Sequence, residues 1–593
     1  MALRRLVVLL AATGAVQAQC SAPRESIPAD LPPAVAQAVD ALYAPQPEPR
    51  MAGAWALGEL RAPAAVPFLL ALLADHGATH ERKLHLWQPP DLPYGPILTS
   101  PGREAAKALV KCGPSVLPAV RALVARRDTP AGARANACFV LGELRDREAA
   151  ALLAANTGEI DALLALGKLA DPTTVPALLG CIADPWRGYL AARALVAIGQ
   201  PAVPPLIDTL LDPKAKERRA AAAELLGRMR APAAIPALTR AVAEPDAALK
   251  LNALEALTVH GPAAAGAAGN VVAALADTDW RCRSAAAKAL AALGARDHAP
   301  ALAPLLADPD LTVRGNAARA LAGLGHSAAL PGLRKLLGDP EPFVRVSALR
   351  ALATLGDRES GPTALALLDE PDDRVREAAF GALGALGDGA AAQRLVALLR
   401  DPDEARRARA VATLAQLGNT AVPALTAALR GAQDNDWTRL NHVAEALGRI
   451  GTVEAAAATA PLLTGPNWIC EVLAGRALAA MGPPGADALI AAATKGVWRA
   501  VGPLLEVKDP RVTDALIAAS KGAPAARQTA AEVMGKRKDA RCVPTLIGLL
   551  SDPDARTASN AQQALTAITG QVFGRDAAQW QAWWAASQAK LLK

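Results

Sequence analysis

The sequence predicts an all-α fold, an α-α superhelix in which roughly fifteen helix pairs stack side by side. Hydrophobic residues make up 52% of the 593 residues, whereas aromatic residues make up only 3%. The apolar content is therefore mostly Ala, Leu and Val, and Ala and Leu favour helix over strand. A further observation is an internal repeat with a step of 31 residues, which is typical of a helical solenoid.

Three kinds of residue keep this step together. Glycines recur at Gly294, Gly325, Gly356, Gly387 and Gly418. Acidic residues recur at Asp277, Asp308, Asp339, Glu370 and Asp401. An arginine follows each acidic residue by six positions, at Arg283, Arg314, Arg345, Arg376 and Arg407. Because the glycines, the acidic residues and the arginines all recur with the same step, they indicate one structural repeat.

A single repeat shows why the pattern folds as two helices. A short apolar helix over 300–307 ends at Asp308-Pro309, because Asp is a good N-cap and Pro suits the first turn of the next helix. Apolar residues on that second helix recur at intervals of three and four and form one stripe. Gly325 then ends the helix in a left-handed conformation. A single pair cannot bury its apolar side, so neighbouring repeats must stack.

The five repeated arginines, Arg283 to Arg407, are predicted to be structural, and we refer to them as the arginine ladder. Each lies near the start of a second helix, where it can bond an acidic residue or a carbonyl of a neighbouring repeat. Recurrence in every repeat favours a structural role, because a catalytic residue would occur once.

The pattern Leu-Leu-x-Asp-Pro-x-x-x-x-Val-Arg-x-x-Ala-x-x-Ala-Leu-x-x-Leu-Gly resembles HEAT repeats, and it is most similar to the short bacterial type called phycobilisome-lyase HEAT-like. The resemblance covers roughly residues 50 to 570 and implies an α-solenoid. The family includes scaffolds, lyase subunits and a few metalloenzymes. Its di-iron member, deoxyhypusine hydroxylase, uses several His-Glu dipeptides, whereas this chain has only His80-Glu81. We therefore expect no di-iron site.

The regularity of the repeat pattern divides the chain into three regions. The repeats are irregular over 50–169, follow the 31-residue step over 170–430 and are degenerate over 431–570. Within the degenerate region, the stretch 465–505 lacks the Asp-Pro mark. We expect a kink or a shortened repeat there.

Residues 1–18 are predicted to be a secretory signal peptide. Arg4 and Arg5 precede an apolar core, and Val16-Gln17-Ala18 supplies small residues before the cleavage point. The protein is thus expected to be exported to the periplasm or cell envelope. The seven prolines of residues 19–49 predict a tether with at most one short helix.

Cysteine usage leaves two alternatives open. Cys20 could be the acylated cysteine of a lipoprotein, which would be the only membrane attachment we expect, although Gln17 and Gln19 depart from the usual lipobox. The other cysteines lie inside Ala/Leu patterns and are expected to be small buried hydrophobes. Oxidation of a pair such as Cys112 and Cys138 is the alternative in an exported chain.

An insertion at residues 76–102 interrupts the first repeats. It holds three of the seven histidines, and His76, His80 and His85 with Glu81 are the candidate metal ligands, because imidazole and carboxylate suit zinc or iron. Pro89, Pro90, Pro93 and Pro96 in the same segment favour irregular backbone. The simpler interpretation is a polar surface loop without metal.

Aromatic residues in two segments are candidates for partner contact. The first are Trp87 and Tyr94 in the insertion. The second lie on one helical face of residues 571–593, at Trp580, Trp583 and Trp584. The simpler interpretation of this last segment is a capping helix that seals the final repeat, and the alternative is a docking surface.

The distribution of charge and the absence of catalytic motifs exclude several classes of function. The formal net charge is +7, but basic and acidic residues alternate, so no basic stripe for nucleic acid is expected. No phosphate-loop, nucleophile-elbow or zinc-protease motif occurs. We predict a non-catalytic scaffold or assembly factor of the bacterial cell envelope that binds unidentified protein partners through its concave face, without a cofactor. The alternative is a lyase-like or metal-dependent, oxidoreductase-type accessory enzyme that uses the insertion.

Overall fold

The computed structural model describes residues 20–77, 99–433 and 436–591. Over these residues the chain forms 33 α-helices, joined by turns and short 3₁₀ helices, and no strand. The predicted all-α fold is confirmed. The chain divides into two compact units with the boundary after His298.

The first unit contains alternating first and second helices of successive pairs. Its α-helices are Pro33–Ala41 (α1), Pro47–Leu60 (α2), Val66–Leu72 (α3), Pro101–Cys112 (α4), Leu117–Ala125 (α5), Ala131–Glu143 (α6), Ala150–Ala154 (α7), Ile160–Leu169 (α8), Val175–Leu179 (α9), Gly188–Ile198 (α10), Val203–Leu211 (α11), Glu217–Arg228 (α12), Ile235–Ala241 (α13), Ala247–His260 (α14), Ala268–Ala273 (α15) and Trp280–Leu293 (α16).

The second unit continues the same alternation. Its α-helices are Leu311–Gly323 (α17), Leu330–Lys335 (α18), Pro342–Leu355 (α19), Gly361–Ala366 (α20), Asp373–Leu386 (α21), Gly389–Leu398 (α22), Glu404–Leu417 (α23), Val422–Arg430 (α24), Trp437–Ile450 (α25), Val453–Thr459 (α26), Trp468–Ala480 (α27), Pro483–Thr494 (α28), Val512–Ala519 (α29), Pro524–Arg537 (α30), Val543–Leu549 (α31), Ala555–Thr569 (α32) and Ala577–Leu591 (α33).

The repeat at α17 ends at its glycine as predicted, but its second helix begins two residues later than predicted, with Asp310 rather than Asp308 as the N-cap. The carboxylate of Asp310 accepts hydrogen bonds from the backbone N–H groups of Thr312 and Val313, at 2.7 and 3.1 Å, and so caps the helix. Gly325 follows the helix with a φ of 72°, a conformation that favours glycine. The cap and the glycine together fix where each second helix begins and ends.

Successive second helices pack directly on one another through small residues. A Cβ atom placed on Gly142 of α6 would lie 2.7 Å from the Cα of Ala165 in α8, and one on Gly535 of α30 would lie 2.8 Å from the Cα of Ala564 in α32. Such distances are shorter than carbon atoms tolerate, so a side chain here would separate the helices. The exposed sides of these adjacent helices form what we call the second-helix surface of each unit.

The N-terminal segment contains one short helix within the limits predicted for it, but it packs on the chain rather than forming a free tether. Residues 33–41 form helix α1, and the hydroxyl of Tyr43 donates to the carbonyl of Ala22 at 2.9 Å. The thiol of Cys20 is buried, with its Sγ 3.6 Å from the carbonyl oxygen of Phe68. From Cys20 onward this segment therefore packs on the first helix pairs, because its apolar residues cover the end of the stack.

The region expected to contain a shortened repeat lacks a regular second helix. After α28, the chain forms two short 3₁₀ helices, Trp498–Ala500 and Gly502–Leu505, before α29 begins. The second of them begins at Gly502-Pro503, and Pro removes a backbone donor that a continuous α-helix would need.

No single helix in the described ranges has both the length and the apolar character needed to cross a membrane. Two bent pairs meet the criteria of length and composition only: Pro101–Cys112 with Pro114–Ala125, and Gly188–Ile198 with Gln200–Leu211.

Candidate protein-binding surface

In the second unit, the arginine ladder links neighbouring repeats, and Arg314 shows how. Nη1 of Arg314 donates to the carbonyls of Asp308 and Pro309, at 2.8 and 3.1 Å. Its Nε and Nη2 donate to the carboxylate of Asp339 in the following repeat, at 2.8 and 3.0 Å. This side chain thus joins the turn before its own helix to the turn of the next repeat.

The other ladder arginines share the contact to their own turn. Arg345 also pairs with Glu370 of the next repeat at 3.1 Å. The remaining three each donate to the carbonyl of the acidic residue six positions earlier: Arg283 to Asp277, Arg376 to Glu370 and Arg407 to Asp401. The ladder side chains therefore bind the backbone carbonyls of the turns, which is a structural role.

The same geometry extends to repeats outside the predicted ladder. Arg50 pairs with Asp75 at 2.6 Å, and both side chains are only 2% exposed. Arg527 pairs with Asp552 at 2.7 Å. The sequence signal for these pairs is the same separation of 25 residues that joins Arg314 to Asp339.

A groove of about 420 Å³ opens on the second-helix surface of the first unit, where α2, α4 and α6 lie side by side. Trp55, Val110 and Phe139 supply its apolar walls. Trp55 is 57% exposed, which is unusual for a side chain with so much apolar area. The groove is thus formed by the packing of helices and leaves a large aromatic ring open to solvent.

Paired charges surround the groove. The Lys111 ammonium pairs with Glu59 at 2.5 Å and lies 5.9 Å from the centroid of the Trp55 ring. Lys107 pairs with Glu104 at 2.7 Å. Because each lysine has an acidic neighbour, the rim is polar and close to neutral, and the apolar floor dominates its chemistry.

Phe139 is held in place by a cation from the neighbouring helix. The guanidinium of Arg103 lies 4.3 Å from the centroid of the Phe139 ring and also donates to Asp161 at 2.8 Å. Such a stacked and paired arginine loses much of its rotational freedom. The groove wall is therefore preorganised.

The apolar character continues along the next second helices. Ile160 and Leu164 of α8 and Tyr189 of α10 are among the exposed large hydrophobic residues. Each of these three residues lies on a second helix, as Trp55 does.

The candidate residues of the insertion lie mostly outside the described residues. His80, Glu81, His85, Trp87 and Tyr94 all fall within 78–98.

His76 is the one candidate metal ligand of the insertion that the structure places. It is exposed, and its ring lies against Gly132, where an added Cβ would overlap the His76 Nε2. Within the described ranges, no group of three or more His, Cys, Asp or Glu side chains is placed to hold a metal ion.

The C-terminal tryptophans pack inward. Trp580 is fully buried, its ring lies 4.9 Å from Phe573, and its Nε1 donates to the carbonyl of Gly574 at 3.0 Å. Trp584 is also buried, and Trp583 is half-buried. The rings of Trp580 and Trp584 are thus covered by the chain itself and offer no surface to a partner, because α33 turns them onto α31.

All seven cysteines, which the structure describes, are free thiols. Cys112 and Cys138 are therefore not joined, contrary to the alternative of an oxidised pair. Burial raises the pKa of the Cys138 thiol to about 12, so it is protonated and unreactive at neutral pH. This is the behaviour of a small core residue.

Sequence reasoning missed Trp55, because one Trp inside a helical pattern gives no sign of which way it faces. It also missed a second aromatic group, at Trp437, Trp468 and Trp498. Here a signal was available, since these residues are separated by 31 and 30 positions, close to the repeat step. They occupy equivalent places in successive repeats.

The fold and this surface together define an α-solenoid protein of repeated helix pairs. The model for HEAT repeats matches residues 159–226, 267–346, 330–415 and 393–482, and the model for the PBS lyase HEAT-like repeat matches residues 49–75 and 218–244. The chain belongs to the HEAT-repeat proteins and carries repeats of the PBS lyase HEAT-like type. The predicted resemblance is confirmed.

Several solved structures are similar to this chain. The crystal structure of Kap121p is 13% identical, with 94% of this chain and 80% of that chain covered and a TM-score of 0.44. The Kap95p structure with RanGDP is 10% identical, with 91% and 95% covered and a TM-score of 0.48. The CpcE and CpcF complex of phycocyanin lyase from Nostoc sp. PCC7120 is 25% identical, with 37% and 92% covered and a TM-score of 0.25. No curated protein matches this chain.

Proposed function

We propose that this protein is a non-catalytic interaction scaffold or assembly factor that binds a protein partner through the second-helix surface. The observation that carries the proposal is the groove at Trp55, an exposed aromatic ring in a preformed apolar concavity. Tryptophan and tyrosine are the residues most often found to dominate binding energy at protein interfaces.

The packing of the first unit supports this use of the groove. The second helices approach closely through Gly58 and Ala108, where an added Cβ would lie 2.9 Å from the Cα of Ala108. The buried pair of Arg50 and Asp75 fixes the adjacent turn. A partner therefore meets a surface that needs little ordering, which reduces the entropic cost of binding.

The paired charges at the rim favour a protein partner over a small ligand. Glu59, Glu104, Lys107 and Lys111 alternate around the apolar floor. A polar rim around an apolar centre is the arrangement of protein–protein interfaces.

We also propose that the protein acts in the bacterial cell envelope after export. The support is the sequence of residues 1–18, with its basic start and apolar core. Attachment to the membrane would come only from acylation of Cys20, and the burial of its thiol against Phe68 favours the unacylated form.

The binding proposal is tested by cross-linking the tagged protein in its native cells and quantifying captured proteins by mass spectrometry. Wild type is compared with Trp55→Ala, with the insertion variant Trp87→Ala/Tyr94→Ala, and with Trp186→Ala as a matched control, since Trp186 is exposed away from the groove. We expect a stoichiometric partner that Trp55→Ala loses and that the other two variants keep. Retention of every partner by Trp55→Ala would contradict the proposal.

The location is tested by fractionation and by the intact mass of the protein purified from its native cells. We expect a processed chain that begins at Gln19 and is found outside the cytoplasm. A chain that retains Met1 in the cytoplasm would contradict export, and a diacylglycerol adduct on Cys20 would show the lipoprotein form instead.

A further inference from the structure

Two adjacent second helices of the second unit, α17 and α19, contain no acidic residue. Their only charged side chains are four arginines. Arg314 and Arg345 belong to the ladder and already pair with carboxylates. The other two are Arg319 and Arg350, which occupy the same position of successive repeats, 31 residues apart. Because α17 packs on α19, these two cations lie on neighbouring helices of the second-helix surface.

The chain leaves both cations without a carboxylate partner. Arg319 and Arg350 are exposed, and neither forms an ion pair with any carboxylate among the residues that the structure describes. The acidic side chains of the following second helix, α21, are both occupied. Asp373 pairs with Arg376 of its own helix, and Glu377 pairs with Arg409 of α23 at 2.8 Å. The charge of the two arginines is therefore available to a partner.

The remaining carboxylates lie at the starts of the two helices. Asp310 and Glu341 are the N-cap residues of α17 and α19. Each lies nine residues before Arg319 or Arg350 in the sequence, which is roughly 13 Å along a helix axis. The carboxylate of Asp310 also accepts hydrogen bonds from the backbone of its own helix. The unpaired positive charge is thus concentrated in the C-terminal halves of α17 and α19.

Arg319 is held in a defined orientation. The ring of Phe343 reaches from α19 across α17, where a Cβ on Gly315 would overlap its Cε1 atom. The guanidinium of Arg319 lies 5.6 Å from the centroid of that ring. Its Nη2 also donates to the side-chain oxygen of Asn316, a residue that is only 2% exposed. A ligand therefore meets a guanidinium that has already lost much of its rotational freedom.

The next two second helices have short residues at the position of the arginines. Gly381 of α21 and Ala412 of α23 follow Arg350 at the same 31-residue step. No heavy atom lies within 4 Å of the place where a Cβ of Gly381 would be. Beside Arg350 there is consequently open space over α21, where the main chain of a partner can approach.

The chemistry of two adjacent guanidinium groups selects the ligand. A guanidinium binds a carboxylate through two parallel N–H···O bonds, and these charge-assisted bonds are among the stronger ones in proteins. A nucleic acid would need a basic stripe that continues over many helices, whereas the charges of α21 are paired. A short protein segment with several Asp or Glu residues is the complementary partner.

We propose that Arg319 and Arg350 form a binding site for an acidic segment of a partner protein. This inference rests on the proposed function as a binding protein, but it concerns the second unit rather than the groove at Trp55. The capture experiment with Trp55→Ala involves no acidic peptide, so either proposal can fail while the other stands.

The test uses the full-length purified protein and a short, fluorescently labelled poly-L-glutamate peptide, with binding followed by anisotropy. The key variant is Arg319→Gln/Arg350→Gln, and because both side chains are exposed we expect it to fold as wild type does. Loss of the two guanidinium groups should weaken peptide binding about tenfold. Binding by wild type should also weaken as salt is added.

The matched control is Arg476→Gln/Arg556→Gln, which removes the same charge from the second helices α27 and α32. Both residues are exposed, and neither pairs with a carboxylate in the described part of the chain, but they do not lie on adjacent helices. The control should weaken binding less than about twofold. An equal effect of the two double variants would overturn the proposal, because binding would then follow net charge alone.

Two further results would also overturn the proposal. One is that Arg319→Gln/Arg350→Gln binds the peptide as tightly as wild type does. The other is that a single-stranded oligonucleotide of the same charge binds more tightly than the peptide and depends on Arg319 and Arg350. We expect the oligonucleotide to bind more weakly than poly-L-glutamate, because only two guanidinium groups are available to it.

Discussion

The regular repeats from α17 to α23 and the later repeats from α25 to the 3₁₀ helix at Trp498 differ in the residue at the start of the second helix. In the regular repeats, Arg314 and Arg345 join neighbouring turns through Asp339 and Glu370, and the helix starts carry residues of no fixed type. In the later repeats the helix starts carry tryptophan. The difference shows that a solenoid has structural positions, which hold the repeats together, and free positions, where the residue type can change without loss of the fold.

The largest effect should come from a structural position in the ladder. Arg314→Ala would leave the carboxylate of Asp339, a mostly buried group, without its partner. We expect the free energy of unfolding of this region to fall by about 3 kcal/mol, measured by chemical denaturation or by amide hydrogen exchange. As a control, Arg394→Ala removes an exposed pair with Asp369 and should change it by less than about 1 kcal/mol. Equal effects would break the distinction between the two kinds of position.

A second prediction compares two helical glycines. Gly142→Ala would place a Cβ 2.7 Å from the Cα of Ala165 and force α6 and α8 apart, so we expect a loss of about 1–3 kcal/mol. Gly381 has no heavy atom within 4 Å of the corresponding position. Gly381→Ala should therefore stabilise α21 by up to about 1 kcal/mol, because alanine favours helix. Thermal unfolding of both variants checks the opposite signs, and a stabilised Gly142→Ala would show that the helices are not in tight contact.

The pair of Arg527 and Asp552, which has the same geometry as the ladder pairs, should also make stability depend on pH. The hydrogen bonds from Arg527 hold the pKa of the Asp552 carboxyl below its usual range. A lowered folded-state pKa contributes stability that is present above the unfolded pKa of about 4 and is lost as the pH falls through the lower folded value. Arg527→Gln should remove this contribution, so the variant and wild type should converge as the pH falls below about 4 in denaturation titrations. A difference that stays constant down to the acid limit would count against this account.

The smallest effect on stability should come from the free position. Trp468→Leu and the reverse exchange Leu311→Trp each place a residue that another repeat already accepts at the helix start. We expect each to change the free energy of unfolding by less than about 0.5 kcal/mol, measured by chemical denaturation. A large loss of stability in Trp468→Leu would show that this ring belongs to the core after all.

The fold of the repeats was predictable because it depends on contacts between residues that are close in the sequence or one repeat apart. The Asp310 cap, the glycine after α17 and the ladder contacts all follow from residues close in sequence or one repeat apart. The groove at Trp55 was not predictable in the same way, because its walls come from three second helices whose facing depends on packing. The C-terminal segment shows the same limit, since three tryptophans on one helical face fitted both a cap and a docking surface until Trp580 proved to be buried.

The sequence by itself determined the all-α fold, the family and the approximate places where helices start and stop, because caps, prolines and glycines act on their own backbone; at α17 the cap is Asp310, two residues after the predicted Asp308. Only the tertiary structure decided which aromatic rings face solvent, that the cysteines stay apart, and that residues from Cys20 onward pack on the first repeats. The physical reason is that the burial of a side chain depends on the neighbouring helices in the stack. Ring exposure depends on how closely Gly58 lets α2 approach α4, and no single repeat contains that information.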